Sequence, residues 1–127
     1  MRASLNEVTL IGNLGADPEY TPRAGGQAAR CILSVATNER WVDRSGETKS
    51  HTEWHRIIAW GAQADACGSY LRKGRALWVR GRIRRRTYEH DGQTKTAYEI
   101  FASQVQFLSD GARDSNNAPA PDDCGEG

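Results

Sequence analysis

The sequence predicts an all-β chain with one helix, closed into a small five-stranded barrel and followed by a disordered acidic tail. Three observations lead there. Five stretches alternate apolar and polar side chains with the two-residue period of a strand. One stretch, between the third and fourth of these, repeats apolar residues at helical spacing. After Leu108 the chain has no Ile, Leu, Val or aromatic residue, so it cannot bury enough surface to offset its ordering entropy.

The first strand is Leu5 to Leu14, which ends in IGNLG and stops at Gly12 or Asn13. Asp17-Pro18, Thr21-Pro22 and Gly25-Gly26 then punctuate a connection. The second strand, Ala28 to Thr37, sets Ala29, Cys31, Leu33 and Val35 on one face. Trp41 leads into DRSGETKS, a polar loop or finger with Gly46 at its tip. The third strand, His51 to Trp60, places Trp54, Arg56, Ile58 and Trp60 on one face and His55, Ile57 and Ala59 on the other. Trp54 and Trp60 suit either a core edge or a stacking platform.

The helix is predicted from Ala62 to Lys73, with Ala64, Cys67 and Leu71 inward, Asp65 in its first turn, Arg72 and Lys73 in its last, and Gly74 as its C-terminal cap. The fourth strand, 76–86, is strongly basic. Leu71 to Arg86 holds eight Arg and Lys and no acid. Alternation puts Leu77, Val79 and Ile83 on one face and Trp78, Arg80, Arg82, Arg84 and Arg86 on the other. The bland interpretation is an edge strand kept soluble by charge. The sharper one is a surface for a polyanion. Asp91-Gly92 signals a hairpin, and Tyr98 to Leu108 closes the sheet with a kink near Ser103.

This order fits a barrel of the OB type, whose face and loops bind oligonucleotides or oligosaccharides. Residues 1–109 form the predicted domain and carry 16 Lys and Arg against 11 Asp and Glu; residues 110–127 form the tail and carry one Arg against five acids. A basic body with an acidic tail describes the chain better than its net charge of +1. No apolar run approaches the length of a membrane span, and MRASLNEV lacks the apolar core of a secretory signal. The expected location is the cytoplasm. Three cysteines without a close pair argue against a disulfide framework, and neither they nor the three histidines have zinc spacing. No cofactor or metal is expected.

Binding an unpaired strand requires a positive groove along the backbone and flat side chains on which bases stack. The chain interleaves both, in Arg40-Trp41, Trp54-His55-Arg56, Trp60, Arg72-Lys73, Arg84-Arg85-Arg86 and Tyr88. An enzyme would need more than the imaginable pair of Cys67 and His55, since no acid, oxyanion donor or metal set accompanies it. A purely protein-binding adaptor would have no need of arginines between exposed aromatics.

At these residues the sequence resembles the bacterial single-stranded DNA-binding protein family. The matching blocks are NEVTLIGNLGADPE (6–19), SVATNERW (34–41), TEWHRIIAWG (52–61), YLRKG (70–74), VRGRIRRR (79–86) and DGQ with YE (91–99). The resemblance implies an OB barrel assembled as a homotetramer. It implies sequence-independent binding and protection of single-stranded DNA in replication, recombination and repair. Carried over by motif, Trp41, Trp54, Trp60 and Tyr88 would stack on bases, and Arg56, Arg72, Lys73, Arg84 and Arg86 would meet phosphates. His55, Trp78 and Arg80 would lie at subunit interfaces.

Two departures stand out. Arg80 replaces a glutamate usual in the family, which loads a face resembling the dimer–dimer contact with arginines that need acids to pair with. The tail ends PAPDDCGEG without the hydrophobic tip that docks partner enzymes in the family. Poor recruitment of replication and repair proteins is therefore expected.

Overall fold

A computed structural model describes residues 2–108. The predicted tail lies outside the described residues. The elements are β1 (Val8–Leu14), β2 (Glu19–Thr21), β3 (Arg30–Val42), β4 (Thr48–Trp60), α1 (Gly61–Tyr70), β5 (Ala76–His90) and β6 (Gln93–Phe107). The sheet runs β1-β5-β6-β4-β3-β2, and β1 also pairs with β3. That last pairing, Asn13 with Ala36 and Leu14 with Val35, closes five strands into a barrel. The predicted fold class is therefore observed: an OB-type barrel with one helix.

The helix follows the fourth strand rather than the third. The difference comes from β2, a three-residue edge strand on β3. It is too short, and too closely flanked by Pro18 and Pro22, for alternation to reveal it.

The core is where alternation placed it. Cys31, Leu33, Val35, Ile57, Ala59, Leu77 and Val79 are buried, and Ala64, Cys67 and Leu71 from the helix segment join the same cluster. Burial pushes the Cys31 thiol up to about 11 and the Cys67 thiol up to about 12. Ile83 departs from the prediction and is 44% exposed. It lies past the point where β1 stops covering β5, at Gly81, so it sits at the open rim of the core, paired with the buried Ile100.

Beyond the barrel, both long hairpins continue as two-stranded arms. β3 and β4 stay paired out to Val42 and Thr48, which extends both strands beyond their predicted ends. β5 and β6 stay paired out to His90 and Gln93. The latter turn is the expected two-residue type, with Asp91 at φ 53° and Gly92 at φ 73°. The kink near Ser103 is a bulge: Arg80 faces Gln104 while Gly81 faces Ala102, and Ser103 is left over. Its hydroxyl donates to the Arg80 carbonyl at 3.0 Å.

The helix ends earlier than predicted. Leu71 turns extended, at φ −89° and ψ 147°, because its side chain is drawn into the core, where it is fully buried. The helix also starts one residue earlier, at Gly61, so Asp65 lies beyond the first turn, and Arg72 and Lys73 lie beyond the helix altogether. Gly74 is not its cap. It sits at φ 93° in a separate tight turn that docks on the end of β1. Gly74 N–H donates to the Leu14 carbonyl at 2.8 Å, and Leu14 N–H donates to the Arg75 carbonyl at 3.0 Å.

Candidate nucleic-acid interface

Strand register decides which predicted residues share a surface. On β4, Trp54, Arg56, Ile58 and Trp60 alternate on the face away from the core residues Ile57 and Ala59. The parallel pairing of Ile58 with Phe101 brings β6 alongside. On β5, Arg82 lies opposite Phe101, Arg84 opposite Glu99, Arg86 opposite Ala97 and Tyr88 opposite Lys95. One continuous outer face thus carries aromatics and guanidinium groups from three strands.

The aromatics are open. Trp54 is 57% exposed, Trp60 44% and Tyr88 39%. Solvent-facing rings in a row are costly for an isolated domain and mark a binding surface. Trp54 lies against Gly15, where an added Cβ would come within 2.2 Å of its ring. Phe101 meets Trp60 edge-on, with centroids 6.3 Å apart and planes at 72°. Arg84 lies over Phe101 at 5.0 Å and Arg86 over Tyr88 at 5.0 Å, both in cation–π range.

Between these rings sits Glu99, only 5% exposed. Arg56 Nε donates to its Oε2 at 2.8 Å. Arg86 Nε approaches the same oxygen at 2.8 Å, as an ion pair without hydrogen-bond alignment. A buried carboxylate needs such partners. Because both arginines meet it through Nε, their terminal Nη groups are left to other acceptors. Sequence reasoning missed Glu99 and Phe101. Their signal was the short run Glu99-Ile100-Phe101, in which a buried Ile100 separates two residues of the outer face.

The remaining predicted residues lie at the margins. Lys73 N–H donates to Asp17 Oδ1 at 2.8 Å, and the Arg72 guanidinium donates to the Leu71 carbonyl at 2.7 Å. Their turn docks on the end of β1, next to the Gly15 that carries Trp54. Trp41, 47% exposed, pairs with Lys49 near the tip of the β3–β4 arm. Alternation puts it on the opposite side of that arm from Trp54. His55 is half-buried and hydrogen-bonded to Thr37 Oγ1 at 2.9 Å. Trp78 is half-buried beneath Arg80 at 5.1 Å. Arg80 Nε meets Glu7 Oε2 at 3.2 Å, so an acid from the same chain partly offsets the charge noted in the sequence.

Among the described residues, no group of three His, Cys, Asp or Glu is placed to hold a metal ion. No helix among them is long and apolar enough to cross a membrane.

A barrel of this topology bearing rings and arginines on one sheet face defines an OB-fold protein of the single-strand-binding class. The comparisons agree. A profile of the single-strand binding protein family matches residues 5–108, so the chain belongs to that family. It is 44% identical over 125 residues to a single-stranded DNA-binding protein of Neisseria meningitidis serogroup A, covering 98% of this chain and 70% of the relative. It is also 44% identical over 117 residues to single-stranded DNA-binding protein 1 of Chlorobaculum tepidum, covering 91% and 70%. Among solved structures it resembles a Plasmodium falciparum SSB in complex with ssDNA, with a TM-score of 0.77 and 38% identity over 85% of this chain and 98% of that one. A deletion mutant of the Thermus aquaticus single-stranded DNA binding protein gives a TM-score of 0.73 and 32% identity over 85% and 52%.

Proposed function

We propose that this chain binds single-stranded DNA without sequence preference and protects it during replication, recombination and repair, as a binding protein and not an enzyme. Trp41, Trp54, Trp60 and Tyr88 stack on bases, and Arg56, Arg72, Lys73, Arg84 and Arg86 meet phosphates. The carrying observation is the β4 face, where two half-exposed tryptophans flank an arginine and adjoin the arginine row of β5. Stacking tolerates any base because every base has a π face. The protein acts in the cytoplasm, at the nucleoid. It assembles as a homotetramer, with His55, Trp78 and Arg80 at subunit contacts. Glu7 beside Arg80 supplies the acid such a contact needs.

The test is a tryptophan-fluorescence titration with long oligo(dT) and with duplex DNA of equal length, at two salt concentrations. Strong quenching by the single strand, little by the duplex, and binding that weakens with salt in proportion to the phosphates neutralised are expected. Equal affinity for duplex would reduce the arginine row to a generic polyanion patch.

A further inference from the structure

The β5–β6 bulge opens a groove that none of the assigned residues except Trp60 and Arg80 touches. It has a volume of about 520 Å3 and runs between the N-terminal arm (residues 5–7) and the rings of Trp60 and Phe101. Three local features build it. Gly81 has no side chain where a Cβ would come within 2.2 Å of the Phe101 carbonyl oxygen, so β5 and β6 approach closely there. The extra residue, Ser103, bends β6 beside it. Asn6 fixes the opposite wall, donating to the Ile83 carbonyl at 2.9 Å and accepting from Ile83 N–H at 2.9 Å. The arm is thus pinned to β5 as a short pseudo-strand, and the groove is formed before anything enters it.

Its chemistry is that of a nucleotide. The volume falls within the usual range of about 300–1,000 Å3 for small-molecule sites. Phe101 and Trp60 offer apolar, aromatic surface. Arg82 lines the groove with its guanidinium 5.8 Å from the Phe101 centroid. Of the other cations nearby, Arg80 has Glu7, Arg56 and Arg86 have Glu99, and Arg84 lies outside the lining, over the Phe101 ring at 5.0 Å. Among the described residues no carboxylate pairs with Arg82. Glu7, on the arm side, repels a phosphate from that rim. A nucleotide therefore has one favourable orientation, with its phosphate on the Arg82 side and its base across the groove.

We propose that this groove is a further nucleotide subsite, in which Phe101 packs against a base beside Trp60 and Arg82 holds the adjoining phosphate. The proposal rests on the single-stranded DNA reading above. It extends the bound strand past Trp60 and towards the N-terminal arm.

The test uses the full chain. Oligo(dT) binding is measured for the wild type, Phe101→Leu and Arg82→Gln, with sedimentation velocity on each variant and ultraviolet crosslinking of oligo(dT) to the wild type mapped by mass spectrometry. Losing one stacked base should weaken Phe101→Leu about tenfold. Losing one phosphate contact should make the salt dependence of Arg82→Gln shallower by about 0.7 in log–log slope. A crosslink should map to the peptide containing Phe101. If Phe101→Leu does not fold, Arg82→Gln and the crosslink decide. Wild-type affinity and slope in both variants, with the wild type still binding oligo(dT), would place the groove off the strand's path and leave the main reading intact. Unchanged DNA binding with an altered oligomeric state would assign the groove to a second copy of this chain. Failure of the wild type to bind oligo(dT) would remove both readings.

Discussion

The two hairpin arms share a plan and differ in charge. Each continues a barrel hairpin outward by strand pairing alone. The β3–β4 arm pairs several of its charges internally. Asp43 Oδ1 accepts from Ser45 N–H at 2.9 Å, from the Ser45 hydroxyl at 2.7 Å and from Glu47 N–H at 3.0 Å. Lys49 meets Glu47 at 3.1 Å, and His51 meets Glu53 at 3.0 Å. The β5–β6 arm instead carries Arg84, Arg85 and Arg86 in sequence and gathers its main carboxylate, Glu99, beneath them rather than beside them. Arm length comes from backbone pairing. What an arm attracts comes from where its acids sit. Exposed pairs contribute little to stability, so the first arm is held by its turn while the second is left with charge for an external anion.

The largest effect should come from removing that charge. Arg84→Gln with Arg86→Gln should weaken oligo(dT) binding about 100-fold, since each charge-assisted contact contributes about 1.5–3 kcal/mol. The matching double change in the other arm, Arg44→Gln with Lys49→Gln, should cost less than about threefold because those charges are exposed or already paired. Equal losses in the two arms would erase the contrast.

Next comes Glu99→Gln. It removes the carboxylate that two arginines share, and urea unfolding should show a loss of about 2 kcal/mol. An unchanged midpoint would mean that desolvating the carboxylate costs as much as its pairs return.

A smaller loss is expected at the root of the first arm. Gly15→Ala drives a Cβ into the Trp54 ring, which must rotate away. Oligo(dT) affinity should fall about tenfold, the value of one stacked base, with a shift in tryptophan emission. Wild-type emission and affinity would show that Trp54 does not stack where it rests.

The smallest effect is on the tip of the β3–β4 arm. Hydrogen bonds from Ser45 and Glu47 hold the Asp43 carboxyl below its ordinary value of 3.8. A depressed carboxyl stabilises the folded loop above the unfolded value, and that contribution is lost as pH falls through the folded one. Protection of the Ser45 and Glu47 amides against exchange, relative to their intrinsic rates, should therefore fall below about pH 4, while protection at the Asp91-Gly92 turn stays level. Parallel behaviour of the two turns would discount the Asp43 hydrogen bonds.

Much of this was legible in the sequence because alternation is a local signal. Val35, Leu77 and Val79 could be assigned inward without knowing their neighbours, and Asp91-Gly92 announces its own turn. Ser103 disclosed the bulge because the alternation of β6 breaks there. Register across strands was not legible. Glu99 acquires meaning only when β4 and β5 place Arg56 and Arg86 over it, and Phe101 only when Trp60 comes alongside. The helix end was misplaced for a related reason: Arg72 and Lys73 suit a helical last turn locally, but burial of Leu71 bends the chain first. The short β2 failed for want of length.

The two core cysteines have a consequence for handling the protein. Thiol reagents attack the thiolate, and burial leaves Cys31 and Cys67 almost wholly protonated at neutral pH as well as out of reach. One comes from β3 and the other from α1, so modifying both requires the barrel and its helix to separate. Their reaction with a maleimide is thus a clock for global opening. Run with and without oligo(dT), it would read how far the ligand slows unfolding, with no tryptophan signal involved. Cys124, outside the described residues, would be counted apart by peptide mapping.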